Sequence, residues 1–295
     1  MVSIIISSKQ LHITEALSKN IKATIGVPYE ILVMENSDAR YGICEAYNKG
    51  AAQSQYPILC FLHEDILIQT QNWGAILLQH FNQSNYGVIG IAGSIYKSAI
   101  PCSWDGAGKL ANRINILQLD ANNKSYKDYY NPTNETISHV VTLDGVFISC
   151  KKVIFNTILF NDNLLKGFHG YDIDFSLRAN KITRLGVVYN IDVLHYSKGN
   201  FNEAWLQAQI ALHSKIFINN KQAVFVEAKG LDSNNNSSFE KNSYKGTCRS
   251  ICNNINISMQ TVHKWLQVTN PNNLKYPFFT LKYLLKARRL RRIKK

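Results

Sequence analysis

Three short apolar runs open this chain, and each one stops abruptly in polar groups. Val2–Ile6 ends at Ser7-Ser8-Lys9, Tyr29–Met34 at Glu35-Asn36-Ser37, and Pro57–Leu62 at His63-Glu64-Asp65. Between them lie longer segments with helical periodicity. Leu11–Ile25 is polar and helix-like. In Tyr41–Ser54, residues Ile43, Ala46, Tyr47, Gly50 and Ala51 share one helix face. Further on, Trp73–Phe81 reads as a third helix and Tyr86–Gly93 as a fourth strand. Strands alternating with helices predict a mostly parallel sheet covered on both faces. Right-handed crossovers then bring the polar strand ends to one edge, where open α/β sheets bind ligands.

The richest of those ends is Phe61-Leu62-His63-Glu64-Asp65. Hard oxygen ligands there suit Mg²⁺ or Mn²⁺, and those cations suit phosphates. The competing reading is that Asp65 caps a helix beginning at Ile66. Downstream, residues 94–139 are rich in Gly, Asn, Tyr and Lys with weak periodicity, which predicts a loop-rich insertion near the site. Val140–Cys150 is apolar around Asp144-Gly145, and a helix starts at Tyr171 with Asp172 and Asp174 in its first turn. Leu185–Tyr189 and Val193–Tyr196 read as late strands. Asn202–Asn219 reads as a helix, and Asn234–Ser238 and Asn270–Asn273 as loops.

Several of these segments, in order, resemble glycosyltransferase family 2 and its relatives with the GT-A fold. The opening Val-Ser-Ile-Ile-Ile-Ser-Ser resembles that family's first strand, and Glu30–Ser37 its second. Ala46-Tyr47-Asn48-Lys49-Gly50-Ala51 is similar to its Ala-x-Asn-x-Gly helix. His63-Glu64-Asp65 occupies the place of its Asp-x-Asp motif. Gly170-Tyr171-Asp172-Ile173-Asp174-Phe175-Ser176-Leu177-Arg178 resembles its Gly-Glu-Asp-x-Asp-Leu-x-x-Arg motif, and Val193-Leu194-His195-Tyr196-Ser197 its late His. The match covers about residues 2–200.

The resemblance implies a transferase acting on a nucleotide sugar, UDP-linked by default, with a divalent cation on the diphosphate. It makes Asp65 and His195 the metal ligands and Asp172 the base that deprotonates an acceptor hydroxyl. Ser7, Ser8 and Glu35 fall where the family holds the nucleotide, and Asp144 where it often contacts acceptor or donor sugar. His63 stands in place of the first Asp of the motif. An imidazole there is a poorer partner for a hard cation or a ribose hydroxyl, which predicts a weak metal dependence, with Glu64 as the compensating group. Tyr171 replaces the usual Glu. Asp174 and Arg178, four apart, read as a helix-surface pair. Trp73 and Trp104 are candidates to stack on sugar rings, against a plain core role.

Charge is uneven along the 295 residues. Residues 216–295 hold 15 Lys/Arg against 3 Asp/Glu, whereas residues 1–215 are nearly balanced, 18 against 17. Residues 275–295 carry nine Lys/Arg and no acid, interleaved with apolar side chains. The resemblance implies a GT-A domain over 1–215, and the charge beyond it predicts a basic C-terminal extension whose end, 275–295, meets anionic lipid. Nucleic acid is the competing partner, but no binding motif accompanies the basic tail. A catalytically weakened scaffold of the same fold is the other alternative. The scattered Cys show no zinc spacing and no pairing pattern, and the N-terminus reads as a first strand rather than a leader. No run approaches the ~18 apolar residues of a membrane span. The expected setting is cytoplasmic, at the inner face of a membrane, with a glycan or lipid-linked glycan as acceptor.

Overall fold

The structure, a computed structural model, describes residues 1–119, 122–197, 199, 201–216, 223–229, 231, 233–269 and 275–293. Its centre is a seven-stranded sheet in the order β10-β13-β5-β12-β3-β1-β2. These strands are β1 (Val2–Ser8), β2 (Tyr29–Glu35), β3 (Ile58–Leu62), β5 (Tyr86–Gly90), β10 (Ile137–Val140), β12 (Phe147–Lys151) and β13 (Arg184–Val188). β1 runs parallel to β2 and β3, and β13 parallel to β5, while β12 lies antiparallel between β3 and β5.

Helices cover both faces, and the period-2 alternation of the strands divides the core between them. Ile5, Leu59 and Phe61 face a cluster that includes Tyr47, Phe155, Phe160 and Phe175. Those residues come from α2 (Ile43–Gln53), α4 (Lys152–Ile158), the loop after it and α5 (Tyr171–Ala179). Ile4, Ile6, Cys60 and Leu62 face the opposite cluster, with Leu17 and Ile21 of α1 (Glu15–Thr24) and Leu77 of α3 (Trp73–Gln83). The first cluster is aromatic-rich, with Phe160 4.7 Å from Phe175 and Tyr47 5.0 Å from Phe61. Such ring pairs add about 0.5–1.5 kcal/mol each beyond their area burial.

Two open alternatives are decided and two expectations change. First, Ile66 does not start a helix: Ile66–Ile68 is a short strand, β4, so Asp65 caps nothing. Second, residues 94–139 are not loop-rich. They hold β7 (Tyr96–Lys97), β8 (Asn112–Leu119) and β9 (Ser125–Tyr130), besides β10 and the end of β6 (Ala92–Ser94). β6, β8, β4, β11 (Thr142–Leu143) and β14 (Val193–His195) make a second sheet in the order β11-β6-β8-β14-β4, with β9 on β8. Third, Trp73 is fully buried and packs edge-on against Phe147 at 5.9 Å, which places it in the core rather than against a sugar. Fourth, the predicted loop Asn234–Ser238 becomes a helix from Asn236 onward, within α7 (Asn236–Asn253). The predicted loop Asn270–Asn273 lies outside the described residues, as do residues 217–219 of the helix expected over Asn202–Asn219. That helix is described over Glu203–Ile216 (α6).

The extension is joined to the body by pairing and packing. β15 (Val224–Phe225) pairs antiparallel with β7. Beyond it, Glu240 of α7 accepts hydrogen bonds from Tyr96 Oη (2.8 Å) and Ser98 Oγ (2.9 Å). Trp265 of α8 (Met259–Val268) donates to the Pro101 carbonyl at 2.9 Å. A third apolar cluster, built around Tyr244, Ile251, Val262 and Trp265, contains Ile100 and Leu206 as well. The C-terminal helix Pro277–Ile293 docks on α7, with Ala287 buried and Tyr244 Oη 2.6 Å from Thr280 Oγ1.

Candidate active site

The site forms where β3 leaves the large sheet and becomes β4 in the small one. His63 N–H still pairs with the Val146 carbonyl (3.2 Å), and two residues later the chain is beside β14, with the Asp65 carbonyl accepting from Tyr196 N–H (3.0 Å). Residues 63–65 therefore bridge the two sheets at the carboxyl edge. The register Ser8↔Glu35 and Ile6↔Leu62 brings the ends of β1 and β2 to that edge too.

The strand-end residues divide into two groups. Glu64 turns toward β1, where its carboxylate accepts from Ser8 Oγ (2.7 Å) and Lys9 N–H (3.2 Å). Ser8 is buried by this contact, and Ser7 lies half-buried beside it. Glu35 accepts from the Ser37 hydroxyl and main-chain N–H and from Arg40 Nη2 (2.6 Å). The Ser37 hydrogen bonds, with Arg40 behind them, hold its carboxyl below the usual range. Ser7, Ser8, Glu35 and Glu64 thus share the carboxyl edge of β1 and β2, and Arg40 joins them.

His63 and Asp65 turn the other way, toward β14. Because β14 pairs with β4 through His195↔Ile66, His195 arrives one residue from Asp65. His195 Nε2 lies 3.5 Å from Asp65 Oδ1, and His63 Nδ1 lies 3.9 Å from the same oxygen. The three ligand atoms all fall within 4.8 Å of one another. Burial pushes the Asp65 carboxyl up, but hydrogen bonds from His195 and Ser197 outweigh it and hold the group well below the usual range. Burial lowers the His63 pKa, which favours the neutral imidazole a metal requires. Two imidazoles and one carboxylate fit a divalent transition ion better than Mg²⁺, which prefers oxygen. His63 thus stands with Asp65 and His195 rather than with Ser8, Glu35 and Glu64. Ser197, two residues from His195, is a site residue the sequence reading passed over. The i, i+2 spacing along an extended segment was the signal for it.

A second carboxylate pair lies nearby, with the Asp144 charge acting on both His63 and Asp172. Asp144 accepts from Trp104 Nε1 (2.6 Å) and from Val146 N–H (2.8 Å), so Trp104 holds an acid in place. Asp172 sits in the first turn of α5, with the main-chain N–H groups of Ile173, Gly145 and its own residue on its carboxylate. Burial, and then the Asp144 charge, push its carboxyl up to about 7. Gly170 precedes it at φ 80°, the left-handed turn that lets α5 begin at Tyr171.

Asp174 and Arg178, further along the same helix, are structural. Asp174 is 1% exposed and pairs with Arg178 Nη2 at 2.5 Å, and the same guanidinium donates to the Ile158 and Leu159 carbonyls. Arg178→Ala leaves a buried carboxylate and two carbonyls unsatisfied. It is expected to cost about 3 kcal/mol in urea unfolding while leaving the site geometry intact. Asn48 of the Ala-x-Asn-x-Gly helix is structural as well, its side-chain amide bonding both N–H and C=O of Phe160 at 2.9 Å.

The sequence profile of a glycosyltransferase-like family matches residues 1–228, and the chain belongs to that family. Solved structures agree on the fold. S. aureus TarS 1-349 in complex with UDP-GlcNAc superposes at a TM-score of 0.56 and 12% identity, covering 90% of this chain and 79% of that one. GalNAc-T7 with UDP, GalNAc and Mn²⁺ superposes at 0.51 and 13% identity, covering 82% and 54%. Both likenesses are to GT-A glycosyltransferases, and the mixed sheet described above is that fold. No curated protein matches this sequence.

Proposed function

We propose that this protein transfers a hexose or N-acetylhexosamine from a UDP-sugar to a glycan or lipid-linked glycan acceptor, with inversion, in surface polysaccharide or lipopolysaccharide assembly. The observation that carries the reading is the His63–Asp65–His195 cluster within 4.8 Å, with a carboxyl raised to about 7, Asp172, nearby. His63, Asp65 and His195 would hold a divalent cation, Mn²⁺ before Mg²⁺, and its charge would offset that developing on the leaving diphosphate. Glu35, Ser7 and Ser8 hold the nucleoside end, and Glu64 braces Ser8. Asp172 takes the proton from the acceptor hydroxyl, and Asp144, held by Trp104, keeps the base's pKa high. The structures with UDP-GlcNAc and with UDP, GalNAc and Mn²⁺ support the choice of donor and ion.

The reading is tested by assaying a UDP-sugar panel for transfer and for hydrolysis in Mn²⁺, Mg²⁺ and chelator. Turnover of at least one donor in Mn²⁺, weaker in Mg²⁺ and lost with chelator, is expected. Absence of both reactions with every donor would favour the scaffold reading instead.

The lipid-linked acceptor draws support from the C-terminal helix. Its buried edge contains Thr280 and Ala287. Leu281 and Leu285, four residues apart, are each 56% exposed and flanked by exposed Lys282, Lys286 and Arg289. An apolar ridge between cations suits the headgroup region of an anionic bilayer. Among the described residues no helix is long and apolar enough to cross a membrane. Peripheral contact at the cytoplasmic face fits both features. Leu281→Glu with Leu285→Glu is expected to lower retention on phosphatidylglycerol vesicles at least tenfold. Retention on RNA by the same helix, unaffected by the pair, would overturn the membrane role.

A further inference from the structure

Tyr171 occupies the place where the family resemblance expects a Glu, and its contacts give it a defined task. Its hydroxyl lies 3.0 Å from the Gly145 carbonyl and 2.8 Å from His63 Nε2. A phenol has one proton, and a carbonyl can only accept. Directed to Gly145, that proton satisfies a buried carbonyl which donation to His63 would leave without it, so the Gly145 direction is the one that uses every group. The phenol oxygen then presents a lone pair to His63, so Nε2 must carry the imidazole proton. In a neutral ring this leaves the Nδ1 lone pair free, and Nδ1 is the nitrogen on the Asp65 side.

Gly145 makes the arrangement sterically possible. A Cβ at that position would sit 2.1 Å from the Tyr171 hydroxyl. The phenol is held further by rings on its core side, with Phe160 at 5.7 Å and Tyr47 at 5.8 Å. Metal-binding histidines generally donate their second ring N–H to a fixed acceptor, and loss of that acceptor weakens metal binding 10- to 100-fold.

We propose that Tyr171 is a positioning residue that, clamped by the Gly145 carbonyl, locks His63 as the Nε2–H tautomer and so presents Nδ1 to a divalent cation. This rests on the reading of His63, Asp65 and His195 as a metal site. The substitution of Tyr for Glu is then matched to the substitution of His for the first Asp of the motif. An imidazole ligand needs an acceptor behind it, and the phenol supplies one.

Two measurements on the full chain test this without turnover. Nitrogen NMR of the metal-free protein reads the tautomer of His63, and electron paramagnetic resonance of free Mn²⁺ reads affinity in the absence of nucleotide. The wild type is expected to show Nε2–H at His63 and to bind Mn²⁺ in a manner abolished by Asp65→Ala. Tyr171→Phe, assayed well below its unfolding temperature, is expected to mix the tautomers and weaken Mn²⁺ 10- to 100-fold. Gly145→Ala, which displaces the phenol, is expected to change both readouts the same way. Wild-type His63 found as Nδ1–H overturns the proposal, whether or not the variants fold. So does Tyr171→Phe with Mn²⁺ affinity within twofold and an unchanged tautomer, and then the metal site itself stands. If the wild type shows no Mn²⁺ binding that Asp65→Ala removes, the site reading fails and this proposal falls with it.

Discussion

Asp172→Asn is expected to lower kcat by about 10²- to 10⁴-fold, the range lost when a positioned general base is removed, with little change in Mn²⁺ affinity. The physical case is the environment of the carboxyl. Burial and the neighbouring Asp144 charge raise it to about 7. A base with that pKa is half-ionised near neutral pH and still strong enough to accept a proton from a sugar hydroxyl as bond formation acidifies it. The rate of the wild type should therefore rise with pH through about 7 and then level, and Asp172→Asn should lack that limb. The same shift has a cost in stability. Between the ordinary carboxylate range and about 7 the folded protein binds a proton that the unfolded chain has released, so stability falls as pH rises through that window. A carboxyl raised that far sets a ceiling of about 4 kcal/mol, reduced because Asp172 is only half-buried at the surface of the site. Asp172→Asn should accordingly unfold at a higher temperature than the wild type at pH 8, with the difference vanishing at pH 4. Loss of activity with a gain in stability is the signature of a functional acid. A purely structural acid would lose stability on the same substitution.

Asp65→Ala is the second large effect. Its Oδ1 is the common neighbour of His63 Nδ1 (3.9 Å) and His195 Nε2 (3.5 Å), so its removal takes the only anionic donor from the cluster. Two imidazoles then face the cation without a counter-charge. Mn²⁺ affinity and metal-dependent turnover are expected to fall more than about a hundredfold, beyond the 10- to 100-fold typical of losing a supporting hydrogen bond. Folding should be little affected, because Asp65 is more than a third exposed and caps no helix. Titration calorimetry with Mn²⁺ alone and in the presence of UDP separates loss of the ion from loss of the nucleotide. Unchanged Mn²⁺ affinity in the variant would place the ion elsewhere.

How far the chain could be read from its sequence depends on the kind of physics each part uses. β1 and β3 were legible because strands buried in the middle of a sheet must be apolar, and β2, half-buried at the sheet's edge, still carries the run Ile31–Met34; their polar ends then mark the ligand edge. Asp174 and Arg178 were legible because four residues on a helix is a fixed distance. β8 and β9 were not: Asn112–Leu119 buries Asn112, Arg113 and Asn115, and Ser125–Tyr130 is exposed along most of its length, so neither shows an apolar pattern. Ile66–Ile68 was hidden because three residues are too few to tell a strand from a helix start. The support behind His63 was not legible for a different reason. Whether an imidazole is a good ligand depends on what holds its other nitrogen. For His63 that is a hydroxyl 108 residues away, brought near only by the antiparallel insertion of β12. Trp104 holding Asp144 is of the same kind, a contact between the small sheet's loop and the large sheet's edge.

On the proposed function, one divalent cation would sit among His63, Asp65 and His195 and meet the diphosphate of a UDP-sugar there. The most direct test is a crystal of the full chain grown with UDP and Mn²⁺, measured at the manganese absorption edge. The account predicts a single anomalous peak bonded to His63 Nδ1, Asp65 Oδ1 and His195 Nε2, with the β-phosphate of UDP completing its coordination. UDP bound with the peak elsewhere, or with none, would contradict it.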